Sequence, residues 1–283
     1  MNGKPCLWLL INGASGSHDE TRLQEVVAEL EKAGAQPGRI VDCRNENMPD
    51  RRALEHAGVG ILAVHGGDGT LNASITALEG WGGSVLPLPG GTANLLCGML
   101  YGDAGPGEII ALFGRGGLVA RRPNCIRCST GTGLAEILAG PGAAWADVRE
   151  ELREGNIVET LATAVDAASQ SAAGPMVVIR QPMLGREQGY AGVRLSIARG
   201  GMMVQGYGAE DIGDYLKQGI ALLRRDFREG PHDDLGLHDA VTCRSGKEEP
   251  IALMIDGERR TGRREEQFSL AQLQLDLLCK PDG

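Results

Sequence analysis

Two stretches of this chain set glycine beside residues that can carry chemistry, and they lie close together. In the first, Gly66-Gly67-Asp68-Gly69-Thr70 follows the apolar run Val59–His65 and precedes Leu71-Asn72-Ala73-Ser74-Ile75. In the second, Pro89-Gly90-Gly91-Thr92-Ala93-Asn94 follows Ser84–Leu88 and precedes Leu95–Leu100. Each apolar run reads as a buried strand. Each following segment has helical spacing, with Leu71, Ile75 and Leu78 on one face in the first case. Glycines let the backbone approach a ligand closely. A loop that opens a helix points free N–H groups and the positive end of the helix dipole at whatever lies there, which suits phosphate. Asp68 is the exception in such a place. A carboxylate repels phosphate unless a metal bridges them or the group handles a proton, and nucleotide chemistry needs both services.

A plain glycine-rich turn would explain either loop alone; the second copy argues against that. Strand and helix alternate from Cys6 to Arg122, as a doubly wound parallel sheet requires. Cys6–Ile11 is the first strand, followed by the polar loop Asn12-Gly13-Ala14-Ser15-Gly16. A helix over Asp19–Ala33 stops at Gly34, Arg39–Asp42 is a strand, and Pro49–Ala57 is a short helix. The glycine loops then fall beyond the carboxyl ends of the strands, where nucleotides bind such sheets. After Arg121-Arg122-Pro123 the period changes. Cys125–Cys128 and Glu136–Leu138 read as strands joined by a hairpin at Thr130-Gly-Thr-Gly133. Ala146–Ala168 is helical in pattern, and strands recur at Val177–Arg180, Val193–Ala198, Ala240–Cys243 and Ile251–Ile255. The expectation is an α/β fold class: an N-terminal doubly wound nucleotide-binding domain over residues 1–122, then a β-rich domain over 123–268. Residues 269–283 are read as a segment returning to the first domain, with Leu273–Leu278 as its strand.

Gly-Gly-Asp-Gly-Thr followed by Pro-Gly-Gly-Thr-Ala-Asn resembles the catalytic domain of the diacylglycerol kinase family, which includes sphingosine kinases and bacterial lipid kinases. More distantly it is similar to NAD kinases and 6-phosphofructokinases. Asn12, Ser15 and Gly16 match the family's Asn-Pro-x-Ser-Gly, with Gly13 in place of proline. The resemblance implies ATP and Mg2+ as cofactors and transfer of a phosphate to a lipid hydroxyl. It implies a cleft between the α/β domain and a β-sandwich. Gly66, Gly67, Gly69 and Thr70 would hold the phosphates, with Asn12, Gly91, Thr92 and Asn94 lining the rest of the nucleotide pocket. Asp68 would act as general base, magnesium contact or both.

Asp256-Gly257-Glu258 matches an Asp-Gly-Glu found in the family after the corresponding strand. Alone, Asp-Gly signals a hairpin turn. Beside the other two motifs it reads as a carboxylate pair, since Asp256 and Glu258 share a face if the strand continues. The pair would hold magnesium, with Asp256 as ligand, or orient the acceptor. Ala144-Trp145-Ala146-Asp147-Val148 resembles the segment that holds the lipid head group in sphingosine kinases. Asp147, with Glu151 one helical turn on, is then a substrate contact; an ordinary acidic helix start is the alternative. The family's acidic residues after the two glycine motifs are absent, with Ala73 and Leu95 in their places. That keeps open a nucleotide-binding regulator without catalysis, and within the superfamily the rival reading is a kinase of the NAD kinase branch.

Composition bounds the rest. At 283 residues the chain has room for two modest domains, and its net charge of −9 argues against a nucleic-acid partner. The seven cysteines are scattered, as in a reducing compartment, and Cys125-x-x-Cys128 lacks the second pair that a zinc site wants. No stretch reaches the ~20 apolar residues of a membrane span. The expectation is a cytoplasmic protein with a lipid substrate and transient peripheral contact at the inner membrane, and a homodimer is left open. Arg224-Arg225, Arg228, Arg259-Arg260 and Arg263-Arg264 form basic clusters that read as solvated surface.

Overall fold

In the computed structural model, residues 6–12, 17–141, 174–208 and 232–281 are described. They fall into two compact units, one of Met1–Pro123 with Gln272–Gly283 and one of Asn124–Ala271.

The first unit is built on one six-stranded sheet. Its strands are β1 (Cys6–Ile11), β2 (Arg39–Asp42), β3 (Val59–Gly66), β4 (Ser84–Pro89) and β5 (Val119–Arg121), and it is completed by β17 (Asp276–Cys279). The order is β2-β1-β3-β4-β17-β5. All neighbours are parallel except β5, which runs antiparallel to β17. The central strands are apolar on both faces: Leu9, Leu10, Leu62, Ala63, Val64, Val85 and Leu86 are all inaccessible to solvent. A parallel sheet covered on both faces demands such continuous runs.

The helices are α1 (Ser17–Lys32), α2 (Arg51–His56), α3 (Asp68–Ala77), α4 (Leu95–Tyr101) and α5 (Pro106–Gly114). Their ends follow local chemistry. Gly34, at φ 67, stops α1, and the Ala35 N–H returns to the Leu30 carbonyl at 2.8 Å. The Asp50 side chain caps α2 by accepting the Ala53 N–H at 2.8 Å. Pro106 opens α5, and Glu108 reaches back to the Gly105 N–H at 3.1 Å.

The second unit has two sheets. One holds β8 (Glu136–Ala139), β10 (Gly192–Ala198), β11 (Gly201–Tyr207), β12 (Asp233–His238), β14 (Ala252–Ile255) and β15 (Glu258–Thr261), in the order β12-β11-β10-β8-β14-β15. The other holds β6 (Asn124–Cys128), β7 (Gly131–Gly133), β9 (Val177–Gln181), β13 (Ala240–Ser245) and β16 (Glu265–Gln272), in the order β7-β6-β16-β13-β9. Both contribute to one core that includes Ile137, Leu195, Val204 and Leu253 from the first, and Ile126, Ile179, Val241 and Phe268 from the second. This is a sandwich, so the α/β-plus-β fold class stands.

One strand pairing departs from expectation. Gly131–Gly133 is not the loop of a hairpin to Glu136–Leu138. It is itself a strand, paired antiparallel with Ile126–Cys128, while β8 lies in the other sheet. The turn is one step earlier, because Ser129 and Thr130 supply it. The helical pattern of Ala146–Ala168 and the Arg224, Arg225 and Arg228 cluster lie outside the described residues. Among the described residues, no helix is long and apolar enough to cross a membrane.

A latch closes one side of the sandwich. Asp233 accepts from Arg186 Nε at 2.8 Å and from the Tyr190 hydroxyl at 2.8 Å. The Arg186 guanidinium, then the Tyr190 hydroxyl, hold the Asp233 carboxyl below its ordinary 3.8. Burial, then the hydrogen bond to Asp233, push the Tyr190 phenol up to about 12. The two groups have opposite signs. The depressed carboxyl contributes stability above pH 3.8 that is lost as pH falls through its folded value. The raised phenol contributes below pH 10 and loses that contribution as pH rises towards about 12. Denaturant midpoints of wild type and Asp233→Asn are therefore expected to differ at pH 7 and to converge as the pH falls from 3.8 through the lowered folded-state value of Asp233. A gap unchanged over that fall would remove Asp233 from the latch.

Candidate active site

The register of the parallel sheet brings the ends of three strands to one level. Ile11 on β1 pairs with His65 on β3, and His65 pairs with Leu88 on β4. The chain leaves all three strands within a residue or two of that row. Asn12 follows β1 directly, and its N–H donates to the His65 carbonyl at 3.3 Å. Its side-chain Nδ2 donates to Thr70 Oγ1 at 2.8 Å. Asn12 is thus tied to the start of α3, and Ser15 and Gly16 lie outside the described residues.

The two glycine loops touch through their backbones. The Gly90 N–H donates to the Gly66 carbonyl at 2.9 Å. A Cβ on Gly91 would stand 2.7 Å from the Gly67 Cα, and one on Gly90 would stand 3.0 Å from the Gly66 nitrogen and 2.9 Å from His65 Cε1. Glycine is required at 90 and 91 because backbone faces backbone there. His65 is the strand-end residue beneath this contact.

Gly67 precedes α3 as its N-cap and offers no capping side chain. The first turn of α3, from Asp68 through Thr70, is therefore open to an anion. Asp68 is half-buried, and its Oδ1 accepts the Leu96 N–H of α4 at 3.4 Å. Its carboxylate stands between the first turns of α3 and α4. Cys97 lies close by, and its thiol is pushed up by burial first and by the Asp68 charge second. Thr92 is exposed at the crest of the second loop.

Asn94, expected to line the nucleotide pocket, also has its amide engaged within its own loop. Oδ1 accepts the Gly91 N–H at 2.9 Å, and Nδ2 donates to the Gly91 carbonyl at 2.8 Å. The residue sits at φ 50, ψ 45, a left-handed conformation that asparagine tolerates. Its place at the end of a glycine turn was the available signal for this closing role.

Asp256-Gly257 differs from expectation more sharply. The strand does not continue through it. Ile255 pairs with Glu258 across a two-residue hairpin turn. Asp256 and Gly257 take φ 46 and φ 91, the two positive values that a type I′ turn needs. The alternation that placed Asp256 and Glu258 on one face does not apply. Asp256 is 3% exposed, and its carboxylate accepts three backbone N–H groups, from Leu134 at 2.7 Å, Ala135 at 2.9 Å and Glu136 at 3.0 Å. Those three donors turn the carboxylate toward the backbone of residues 134–136. Glu258, by contrast, is exposed at the start of β15. Asp147 and Glu151 lie outside the described residues.

Residues 6–118 match the diacylglycerol kinase catalytic domain. That stretch holds all three loops. The diacylglycerol kinase-like chain also has whole-length structural relatives. A diacylglycerol kinase from Bacillus anthracis str. Sterne superposes with a TM-score of 0.63 at 17% identity, covering 99% of each chain. A candidate diacylglycerol kinase from the same organism gives 0.63 at 18% identity over 98% of each chain. At such identity the likeness is one of fold. No curated protein matches the sequence.

Proposed function

We propose that this diacylglycerol kinase-like chain is an ATP-dependent lipid kinase that transfers the γ-phosphate to the hydroxyl of a diacylglycerol- or sphingosine-like lipid. The observation that carries the reading is the backbone contact between the two glycine loops, with Asp68 between the first turns of two helices. A phosphate fits there. Side chains are excluded at Gly90 and Gly91, N–H groups at the start of α3 are uncapped, and Thr70 supplies a hydroxyl oriented by Asn12.

Each residue then has a task. Gly66, Gly67, Gly69 and Thr70 take the terminal phosphates. Gly91 and Thr92 flank them, and Asn94 holds the second loop in shape. Asp68 accepts the proton of the attacking hydroxyl. Magnesium takes one or two carboxylates plus phosphate oxygens, so Asp68 and the nucleotide's own phosphates are a sufficient set. When bound, the ion neutralises charge on the transferring group. Glu258, exposed and free of the backbone contacts that occupy Asp256, orients the lipid hydroxyl. A lipid acceptor implies transient contact with a membrane surface.

The test is transfer of labelled γ-phosphate from ATP, with magnesium, to diacylglycerol, a sphingoid base and NAD in parallel. Labelled lipid is the expected product. Labelled NAD would place the chain in the sister branch. ATP binding with no product would favour a regulator, the reading that Ala73 and Leu95 keep in play.

A further inference from the structure

The second unit uses two buried carboxylates to hold one edge strand. β15 lies at the margin of its sheet, and all four of its residues are exposed. Just before it, Asp256 clamps the hairpin turn to the backbone of Leu134–Glu136 through three accepted N–H groups. The Asp256 N–H adds a fourth link, to the Glu136 carbonyl at 3.1 Å. Just after β15, Glu266, 1% exposed, accepts the Arg263 N–H at 2.7 Å and both the N–H and the hydroxyl of Ser129 at 2.7 and 2.8 Å. An exposed edge strand ordinarily frays at its ends. This one is fastened at both.

The clamp at Asp256 is more than a hairpin requires. Asn-Gly would make the same type I′ turn with no buried charge. Burying a carboxylate is costly unless it is fully hydrogen-bonded. Here the bonds run to a different segment of the chain, more than a hundred residues away. What that arrangement fixes is the position of the turn, and the residue leaving the turn is Glu258.

We infer that Asp256 is a positioning residue for Glu258, acting by clamping the hairpin turn to the 134–136 backbone. The inference rests on the reading of Glu258 as the group that orients the acceptor hydroxyl. The contacts of Asp256 run to the 134–136 backbone, so its effect on transfer is exerted through Glu258.

The test is a double-mutant cycle on the full chain, with Asp256→Asn, Glu258→Gln and both together. The readouts are kcat for phosphate transfer to diacylglycerol in mixed micelles, KM for ATP, and thermal melting. Asp256→Asn keeps the turn chemistry but sets an NH2 group against N–H donors. Glu258→Gln is expected to lower kcat ~100-fold. Asp256→Asn should lower it at least ~10-fold with KM for ATP unchanged, and the double variant should be no slower than Glu258→Gln. Losses that multiply, or wild-type kcat in Asp256→Asn, would overturn the inference while leaving the role of Glu258 intact. Wild-type kcat in Glu258→Gln would instead overturn the reading of Glu258. If Asp256→Asn does not fold, Gly257→Ala replaces it in the cycle. It strains the turn at φ 91 with the carboxylate in place, and the same coupling to Glu258 is expected.

Discussion

Asp68→Asn is expected to lower phosphate transfer by ~10²–10⁴-fold, the span typical of losing a positioned general base. The substitution is isosteric. Its amide oxygen can still accept the Leu96 N–H that the carboxylate now takes at 3.4 Å, so the loop and both helix starts should keep their places. What disappears is the charge and the basicity. Nucleotide affinity measured without magnesium or lipid should hold or tighten slightly, because an anion has been removed from beside the phosphates. Labelled transfer and calorimetric ATP titration on the same preparation check both halves. Turnover within about twofold of wild type would remove Asp68 from the chemistry.

Gly91→Val has the second largest expected effect, and it acts on binding. A Cβ at 91 would stand 2.7 Å from the Gly67 Cα, which is backbone and cannot swing aside. The two loops must part, and valine adds two further carbons at the same point. Overpacking of this kind costs about 1–3 kcal/mol of stability. The separation should also lower ATP affinity by at least ~10-fold, since phosphate contacts depend on donors held in place. Gly98→Ala is the matched control. Gly98 is exposed in α4, with nothing within 4 Å of its added Cβ, so alanine should leave ATP affinity unchanged. Wild-type ATP affinity in Gly91→Val would show that the loop contact does not shape the cradle.

The α/β unit is legible in the sequence for a local reason. β1, β3 and β4 are continuous apolar runs, and the loops after β3 and β4 are marked by glycine and lead into helices, so these carboxyl-edge loops can be placed without long-range information. The register that aligns His65 with both Ile11 and Leu88 is a consequence of those runs. The sites that depend on distant partners are not legible in that way. Asp256 reads as a strand residue facing the same way as Glu258 only if the strand continues. The donors that claim its carboxylate lie 120 to 122 residues earlier in the chain. Its local signal, Asp-Gly, already pointed to the turn. The contacts of Asn94 are local by contrast: its partner, Gly91, is only three residues away. Thr130-Gly-Thr-Gly133 reads as a loop because glycine suggests one, whereas short strand β7 tolerates glycine where Ile137 and Ile255 crowd it.

Amide hydrogen exchange with and without ATP and magnesium tests the shared cradle most directly. The expected result is slowed exchange at Gly67–Thr70 and Gly90–Thr92 together, with both loops responding over the same ATP concentrations. Protection of one loop alone, or of neither while ATP binds elsewhere, would contradict a single phosphate site built from both.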